Sequence, residues 1–404
     1  MHGCAQNGEV FRLTPTLSAY ISVFGVAAVV TFALTFLTRR LAIRFGAVVM
    51  PDPDNSRRVH TRPLPTSGAS LFLGFLVAMA VASRFESFRA VFDGSSEPLA
   101  IVLAGSVMFA VGMLDDLLEV SPPAKMAGIV FSGSVLSLLG VVMIFLRIPF
   151  FDLVGISPDL APLVTVLWVA GMANAVNFID GLDGLAAGIV AIAAGAFFLY
   201  TLQIGPDNAG LLSETSVGPL IAVIACGICV GFLPHNFHPA RIQMGDAGAL
   251  FLGLLMAAAT LVVGGRTDQP FSGQTYFFYA PIFIPFFILG VPIFDTAFAI
   301  IRRSGKFSVA DKGHLHHRLM FLGHGQRRAV GILWAWTAIL SGLVLFPTYT
   351  DRGNAVIPFL VLGLGVLLYT FFHPGVRASG NDAILASETS GAEEVLSTPG
   401  DPST

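Results

Sequence analysis

Eleven apolar stretches recur along the whole chain, at roughly 17–37, 67–83, 99–114, 126–146, 161–177, 184–203, 217–233, 247–264, 277–300, 329–347 and 355–372. A bilayer core takes about 20 apolar residues as one helix. Only helices or closed barrels satisfy their backbone polar groups there. With 54% hydrophobic and 12% charged residues, the chain has too little polar surface to cover a water-soluble domain. The fold class expected is therefore all-α, a polytopic integral membrane protein of about 11 transmembrane helices. An extracytoplasmic segment 1–16 lacks the core of a signal peptide, so the first apolar run is expected to be retained. The transmembrane domain then runs over 17–376. A tail at 377–404, rich in Ser, Thr, Gly, Pro and acids, reads as disordered and cytoplasmic. The three cysteines form no disulfide framework. Cys226 and Cys229 lie in an apolar run and read as small packing residues rather than a redox pair.

The net charge of −3 says little about partners, whereas the placement of basic residues fixes an orientation. With the N-terminus outside, loops 38–66, 115–125, 178–183, 234–246 and 301–328 and the C-terminus share one side. That side carries sixteen of the 22 Lys and Arg, and the other carries six. Positive residues concentrate on cytoplasmic loops, so the first side is expected to face the cytoplasm.

Every unusual polar cluster then falls on that face. Between the fifth and sixth spans, Asn174, Asn177, Asp180 and Asp183 repeat at intervals of three. On one unbroken helix this spacing drifts around the axis, while Gly181 and Gly184 permit a turn. The pattern predicts a helix ending near Asn177, a tight turn, and a helix starting near Asp183, with the four polar side chains converging. A plain membrane loop with Asp183 as an N-cap is the alternative. Acids at a membrane are costly and mark function more often.

The third span ends in adjacent carboxylates, Asp115 and Asp116, with Lys125 ten residues beyond Asp115. Neighbouring carboxylates repel unless a cation lies close. A magnesium ion, or a nucleophile awaiting deprotonation, would account for the pair, and two solvated acids at a helix end would too. Gly245-Asp246-Ala247-Gly248 puts a carboxylate on a turn before the eighth span, where it suits a hard cation or an N-cap. His314, His316, His317 and Arg318 crowd into five residues. No cysteine is near and two of the histidines are adjacent, so phosphate binding fits better than zinc. Arg57, Arg58 and Arg62 suit lipid headgroups or substrate phosphate. Asp295 reads as packing or site support. Carboxylates for a divalent cation, basic groups for phosphates and a membrane for one substrate together suggest phosphoryl transfer.

These motifs, in this order, resemble the polyprenyl-phosphate N-acetylhexosamine-1-phosphate transferases. The resemblance rests on Asp115-Asp116, NxxNxxDGLDGLA at 174–186, FLPHNFHPARIQMGDAG at 232–248, PIFDTAFAIIRR at 292–303 and HLHHRL at 314–319. It implies an enzyme of the bacterial plasma membrane that moves a sugar-1-phosphate from a UDP-N-acetylhexosamine to undecaprenyl phosphate and releases UMP. GlcNAc-1-phosphate is the group implied, and the product would start a lipid-linked cell-envelope glycan. By motif position, Asp246 and Asn177 would contact Mg2+, for which Mn2+ can substitute. Asp115, with Asp116 beside it, would position or deprotonate the lipid phosphate. Asp180 and Asp183 would serve the nucleotide or metal surroundings. Asn174, Lys125, Arg62, His314, His316, His317 and Arg318 would bind substrate. Membrane lipids are partners, nucleic acid is not, and a homodimer is left open. The chain departs from the family pattern at Ala69, where a second glycine is common, and at Ala249, where a serine is common. Two competing readings are the muramoyl-pentapeptide translocase, against which HLHHRL argues, and a transporter, whose intramembrane acids would lie near the midplane.

Overall fold

The computed structural model describes residues 15–45, 48–49, 64–118, 120–147, 153–206, 208, 212–264, 319, 325–350 and 353–372. The expected span at 277–300, the segment 1–14 and the tail 377–404 lie outside them. Helices occupy the other ten expected positions: α1 Leu17–Phe45, α2 Gly68–Ala82, α4 Glu97–Leu118, α5 Pro122–Leu138, α6 Ala161–Ile179, α7 Leu185–Gln203, α8 Gly218–Asn236, α9 Gly245–Gly264, α10 Gln326–Thr350 and α11 Ile357–Phe372. A short helix α3, Arg89–Asp93, lies between α2 and α4. By length and composition, seven of the described helices can each cross a bilayer: α1, α4, α6, α7, α8, α9 and α10. An eighth crossing arises if α2 and the segment Glu86–Asp93, bent by 97°, count as one span. The protein is a multi-pass membrane protein.

The fourth expected span differs most from its sequence pattern. Residues 126–146 carry no charged residue and are mostly apolar, yet α5 stops at Leu138. Gly140 takes φ +97°, a left-handed conformation that suits glycine, and Ser96 Oγ donates to the Leu139 carbonyl at 2.9 Å. Beyond it, Phe145–Arg147 pairs as strand β3, antiparallel to β4, Leu153–Gly155. A shorter pair, two residues per strand, joins β1, Val48–Val49, to β2, Leu64–Pro65. These strands are brief ends to an otherwise helical bundle.

Helix α9 is the central post. It packs against α2, α4, α6, α7 and α8, and 94% of its spanning window is buried, against 22% for α1. Small residues let its neighbours come close. A Cβ on Gly253 of α9 would sit 2.5 Å from Ala173 Cα of α6, and one on Gly68 of α2 would sit 2.5 Å from Gly248 N. On the outer helices large apolar side chains stay exposed, among them Val29 of α1 at 68% and Val361 of α11 at 64%. Water would penalise such surface, and lipid does not.

Chain direction alternates through this bundle. The C-terminal ends of α1, α4, α6 and α8 therefore meet the N-terminal ends of α2, α5, α7 and α9 at one end. Of the polar residues singled out in the sequence, the described ones, Asp115, Asp116, Lys125, Asn174, Asn177, Asp180, Asp183 and Asp246, lie toward that end.

Candidate active site

The turn predicted between the fifth and sixth spans is present, two residues later at each boundary. Asp180 leaves helical geometry at ψ 54°, Gly181 N–H donates to the Ile179 carbonyl at 2.8 Å, and Gly184 takes φ +76° before α7. The four polar residues do not converge on one point. Asn174 Nδ2 turns back to the Ala170 carbonyl of its own helix at 2.8 Å. Asn177 Nδ2 donates to Asp246 Oδ1 at 2.6 Å. Asp180 stands at the end of α6, and Asp183 belongs to a second group on the far side of the turn. Asn174 lies one turn before Asn177 on the same side of α6, but its amide bonds its own helix, and the turn redirects only the residues beyond it.

The first group is built on the junction of α4, α5 and α9. Asp116 accepts the backbone N–H of Asp246 at 2.8 Å and that of Ala247 at 3.1 Å, one on each carboxylate oxygen. It therefore caps the N-terminus of α9 from another helix, satisfying amides that have no partner within the helix and placing negative charge at the positive end of its dipole. Gly245 makes this possible, since its φ is +73° and a Cβ there would lie 2.5 Å from Asp116 Oδ2. Beside the cap, Lys125 Nζ donates to Asp115 Oδ2 at 2.9 Å and also to Asp246 Oδ2. Asp115 Oδ1 accepts the Val120 N–H at 2.9 Å. The carboxylates of Asp115 and Asp246 are distant in sequence but adjacent in the bundle, and both aim at a spot occupied by one ammonium.

Two carboxylates, Asp115 and Asp246, face one lysine in a partly buried setting, a formal excess of one negative charge, with the Asp116 carboxylate beside them on the α9 amides. Among the described residues no group of three or more His, Cys, Asp or Glu side chains forms a closed metal cage. Magnesium does not need one, because it keeps waters and takes one or two carboxylates plus substrate phosphates. Hard oxygen donors aimed at one cation position, together with uncompensated negative charge, fit such an ion.

The second group holds Asp183, whose side chain is 5% exposed. His238 Nδ1 donates to Asp183 Oδ2 at 2.7 Å, and Ala240 N–H donates to the same oxygen at 3.0 Å. Asn236 ties the turn to the loop after α8: its Oδ1 accepts Gly184 N–H at 3.0 Å and its Nδ2 donates to the Ile242 carbonyl at 3.0 Å. Sequence reasoning passed over His238 and Asn236. Their signal was the polar HNFH run closing an apolar helix, inside a motif already noted for Asp246. A third layer of hydroxyls links α1 to α2. Thr35 Oγ1 donates to Ser70 Oγ at 3.0 Å and Thr38 bonds Ser67, while Ser67 N–H reaches the Gln243 carbonyl at 3.0 Å.

The departures from the family pattern find different settings. Gly68 meets the backbone of Ala247 and Gly248, so the close approach is carried by Gly68 itself, and Ala69 is only partly buried. Ala249 is fully buried in α9. Cys226 and Cys229 are free thiols on α8. Arg62, His314, His316, His317, Arg318 and Asp295 lie outside the described residues.

Comparison with known proteins identifies the family. The sequence profile of glycosyl transferase family 4 matches residues 98–264, which run from α4 to α9 and hold Asp115, Asp116, Lys125, Asn177, Asp183 and Asp246. A decaprenyl-phosphate N-acetylglucosaminephosphotransferase of Mycolicibacterium smegmatis is 35% identical over 352 residues, 85% of this chain and 84% of that protein. A probable undecaprenyl-phosphate N-acetylglucosaminyl 1-phosphate transferase of Bacillus subtilis is 34% identical, over 79% of this chain and 82% of that protein. A phospho-N-acetylmuramoyl-pentapeptide-transferase of Staphylococcus aureus is 25% identical, over 79% of this chain and 96% of that protein. The chain belongs to glycosyl transferase family 4 and is a phosphotransferase of the kind that works on prenyl phosphates.

Proposed function

We propose that the protein transfers GlcNAc-1-phosphate from UDP-GlcNAc to a polyprenyl phosphate, releasing UMP, at the cytoplasmic face of the bacterial plasma membrane. The single observation that carries this reading is the Asp115–Lys125–Asp246–Asn177 cluster, which sits at helix ends on one side of the bundle. A transporter would favour acids near the midplane. The higher identity to the N-acetylglucosamine transferases than to the pentapeptide transferase supports the smaller sugar.

In this reading Asp246 and Asn177 would hold Mg2+, which when bound would supply positive charge to offset that of a diphosphate. Lys125 exchanges part of its carboxylate contact for a substrate phosphate oxygen. The lipid phosphate is already an anion at neutral pH and attacks the β-phosphorus directly, with Asp115 orienting it or taking any residual proton. The oxygen–phosphorus bond to UMP breaks as the new one forms, so no covalent enzyme intermediate is needed. Asp116 keeps the N-terminus of α9 in place. Asp180 and Asp183 serve the nucleotide side, and His314, His316, His317, Arg318 and Arg62 the diphosphate and sugar.

The test is transfer of label from UDP-GlcNAc to decaprenyl or undecaprenyl phosphate by the purified full chain. Activity is expected with Mg2+ and lost in EDTA, and enzyme without lipid should not exchange labelled UMP into UDP-GlcNAc. Full activity in EDTA would remove the metal from the reading, and lipid-free exchange would install a covalent relay. The orientation is tested separately, in a chain whose Cys4, Cys226 and Cys229 have been replaced. A cysteine at Ala124, on the site end, should label only from the cytoplasm, and one at Ser213 only from outside. The reverse pattern would place the cluster on the side that UDP-sugars do not reach.

A further inference from the structure

We infer that the groove between α10 and α11 is a binding site for one anionic phospholipid of the surrounding bilayer, with its phosphate on Arg328 and an acyl chain along the two helices. The groove encloses about 500 Å3, within the usual range for small-ligand sites. It runs about 10 Å along α10 from Arg328 to Ala335. Its floor is made by glycines, Gly331 on α10 and Gly365 on α11, and a Cβ added to either would meet nothing within 4 Å. Two helices that merely packed together would have closed on such glycines, as α9 closes on α6 at Gly253. Here the space is left open, and apolar side chains such as Ile332, Val361 and Val366 wall it.

The polar residues sit at one end. Arg328 and Tyr369 both line the groove, and Arg327 adjoins them. Arg328 has no carboxylate partner among the described residues, whereas Lys125 has two. The direction of α10 fixes which end this is. Trp334 Nε1 donates to the Leu185 carbonyl and Tyr349 Oη to the Leu199 carbonyl, so α10 runs parallel to α7. Its N-terminus therefore lies at the end that holds the carboxylate cluster, the side rich in Lys and Arg. A guanidinium without a carboxylate at that level, above an apolar slot open to lipid, matches a phosphate head with one tail. A free nucleotide or inorganic phosphate would leave the slot unfilled, and a neutral lipid would leave Arg328 without a counter-charge. Elsewhere on α10, Trp334 packs over Gly188 of α7 and against Phe237, with ring centroids 5.9 Å apart.

The experiment reads bound-lipid mass rather than transfer, so its failure and failure of the proposed reaction are distinguishable. The full chain is extracted from membranes in a mild detergent and weighed intact, alone and after addition of phosphatidylglycerol or phosphatidylethanolamine. Wild type is expected to retain one phosphatidylglycerol and to shed phosphatidylethanolamine. Arg328→Gln should weaken retention at least about tenfold, the scale of one charge-assisted contact. Gly331→Leu should do the same by filling the slot, while the helix gains in propensity, so loss of lipid there is not loss of fold. Unchanged retention in both variants would overturn the inference. So would a retained prenyl phosphate that both variants displace, since the groove would then belong to the acceptor. A dimer that Gly331→Leu converts to monomer would overturn it as well, by making a second copy the occupant.

Discussion

Asp246→Asn is expected to cut transfer on the order of 10³-fold, the scale seen when one electrostatic contact to a developing charge is removed, while the protein still folds and extracts normally. The substitution keeps volume and the N–H donated to Asp116, so the cap of α9 survives. Lys125 keeps Asp115 as its partner at 2.9 Å, and no buried ammonium is stranded, which would otherwise cost about 3–5 kcal/mol. What changes is the charge at the spot shared with Asp115, and the anionic oxygen facing Asn177. Initial rates of label transfer at saturating lipid, across a Mg2+ titration, measure the effect. A loss that added Mg2+ partly restores would locate the damage in metal affinity. Near-normal kcat at ordinary Mg2+ would remove Asp246 from the centre of the site.

Gly112→Ala is expected to be nearly as damaging without touching any charged group. A methyl there would overlap Ala247 Cα and lie 2.6 Å from both Ala247 N and the Asp246 carbonyl. All three are backbone atoms, which no rotamer change can move. Helices α4 and α9 must separate, at a cost of about 1–3 kcal/mol for overpacking. The shift acts one turn before Asp115 and Asp116 and opens the amide contacts of 2.8 and 3.1 Å that hold the two helices in register. Misplacement by about 1 Å can lower turnover about 10²-fold. Thermal unfolding in detergent and the transfer assay report the two components. The control is Gly171→Ala on α6, where nothing lies within 4 Å of the added carbon. That variant should keep its activity and gain up to about 1 kcal/mol in helix propensity. Equal behaviour of the two variants would show that the α4–α9 contact sets neither stability nor geometry.

The contrast between those glycines also marks what could be read from the chain alone. Helices at 17–45 or 218–236 are legible because a run of apolar residues has one outcome in a bilayer, whatever its neighbours do. The break between α6 and α7 is legible because Gly181 and Gly184 interrupt such a run. The end of α5 is not, since the apolar residues after Gly140 are compatible with helix or strand and only the pairing with Leu153–Gly155 decides. At the site, the identities of Asp115, Asp116 and Asp246 stood out as acids beside apolar spans. Their division of labour did not. Nothing in an Asp-Asp pair says that one member caps a helix 130 residues on while the other meets a lysine. Asn174 and Asn177 look equivalent in sequence and share a helix face, and they part company only in their partners, a carbonyl of α6 for one and Asp246 for the other. The Asp183–His238 pair spans 55 residues, and its two halves belong to motifs that gave no hint of touching.

The cap that Asp116 places on α9 has a consequence for how the molecule comes into being. Translation delivers α4 long before α9, so for well over a hundred residues of synthesis the acids at the end of α4 stand without the amides they will bind. Asp246 arrives as the second residue of α9, and only the insertion of that helix between α4 and α6 closes the cluster. Until then Asp115, Asp116 and Lys125 are present without Asp246, and the cluster is incomplete. Completion of the cluster is gated by the arrival of one helix.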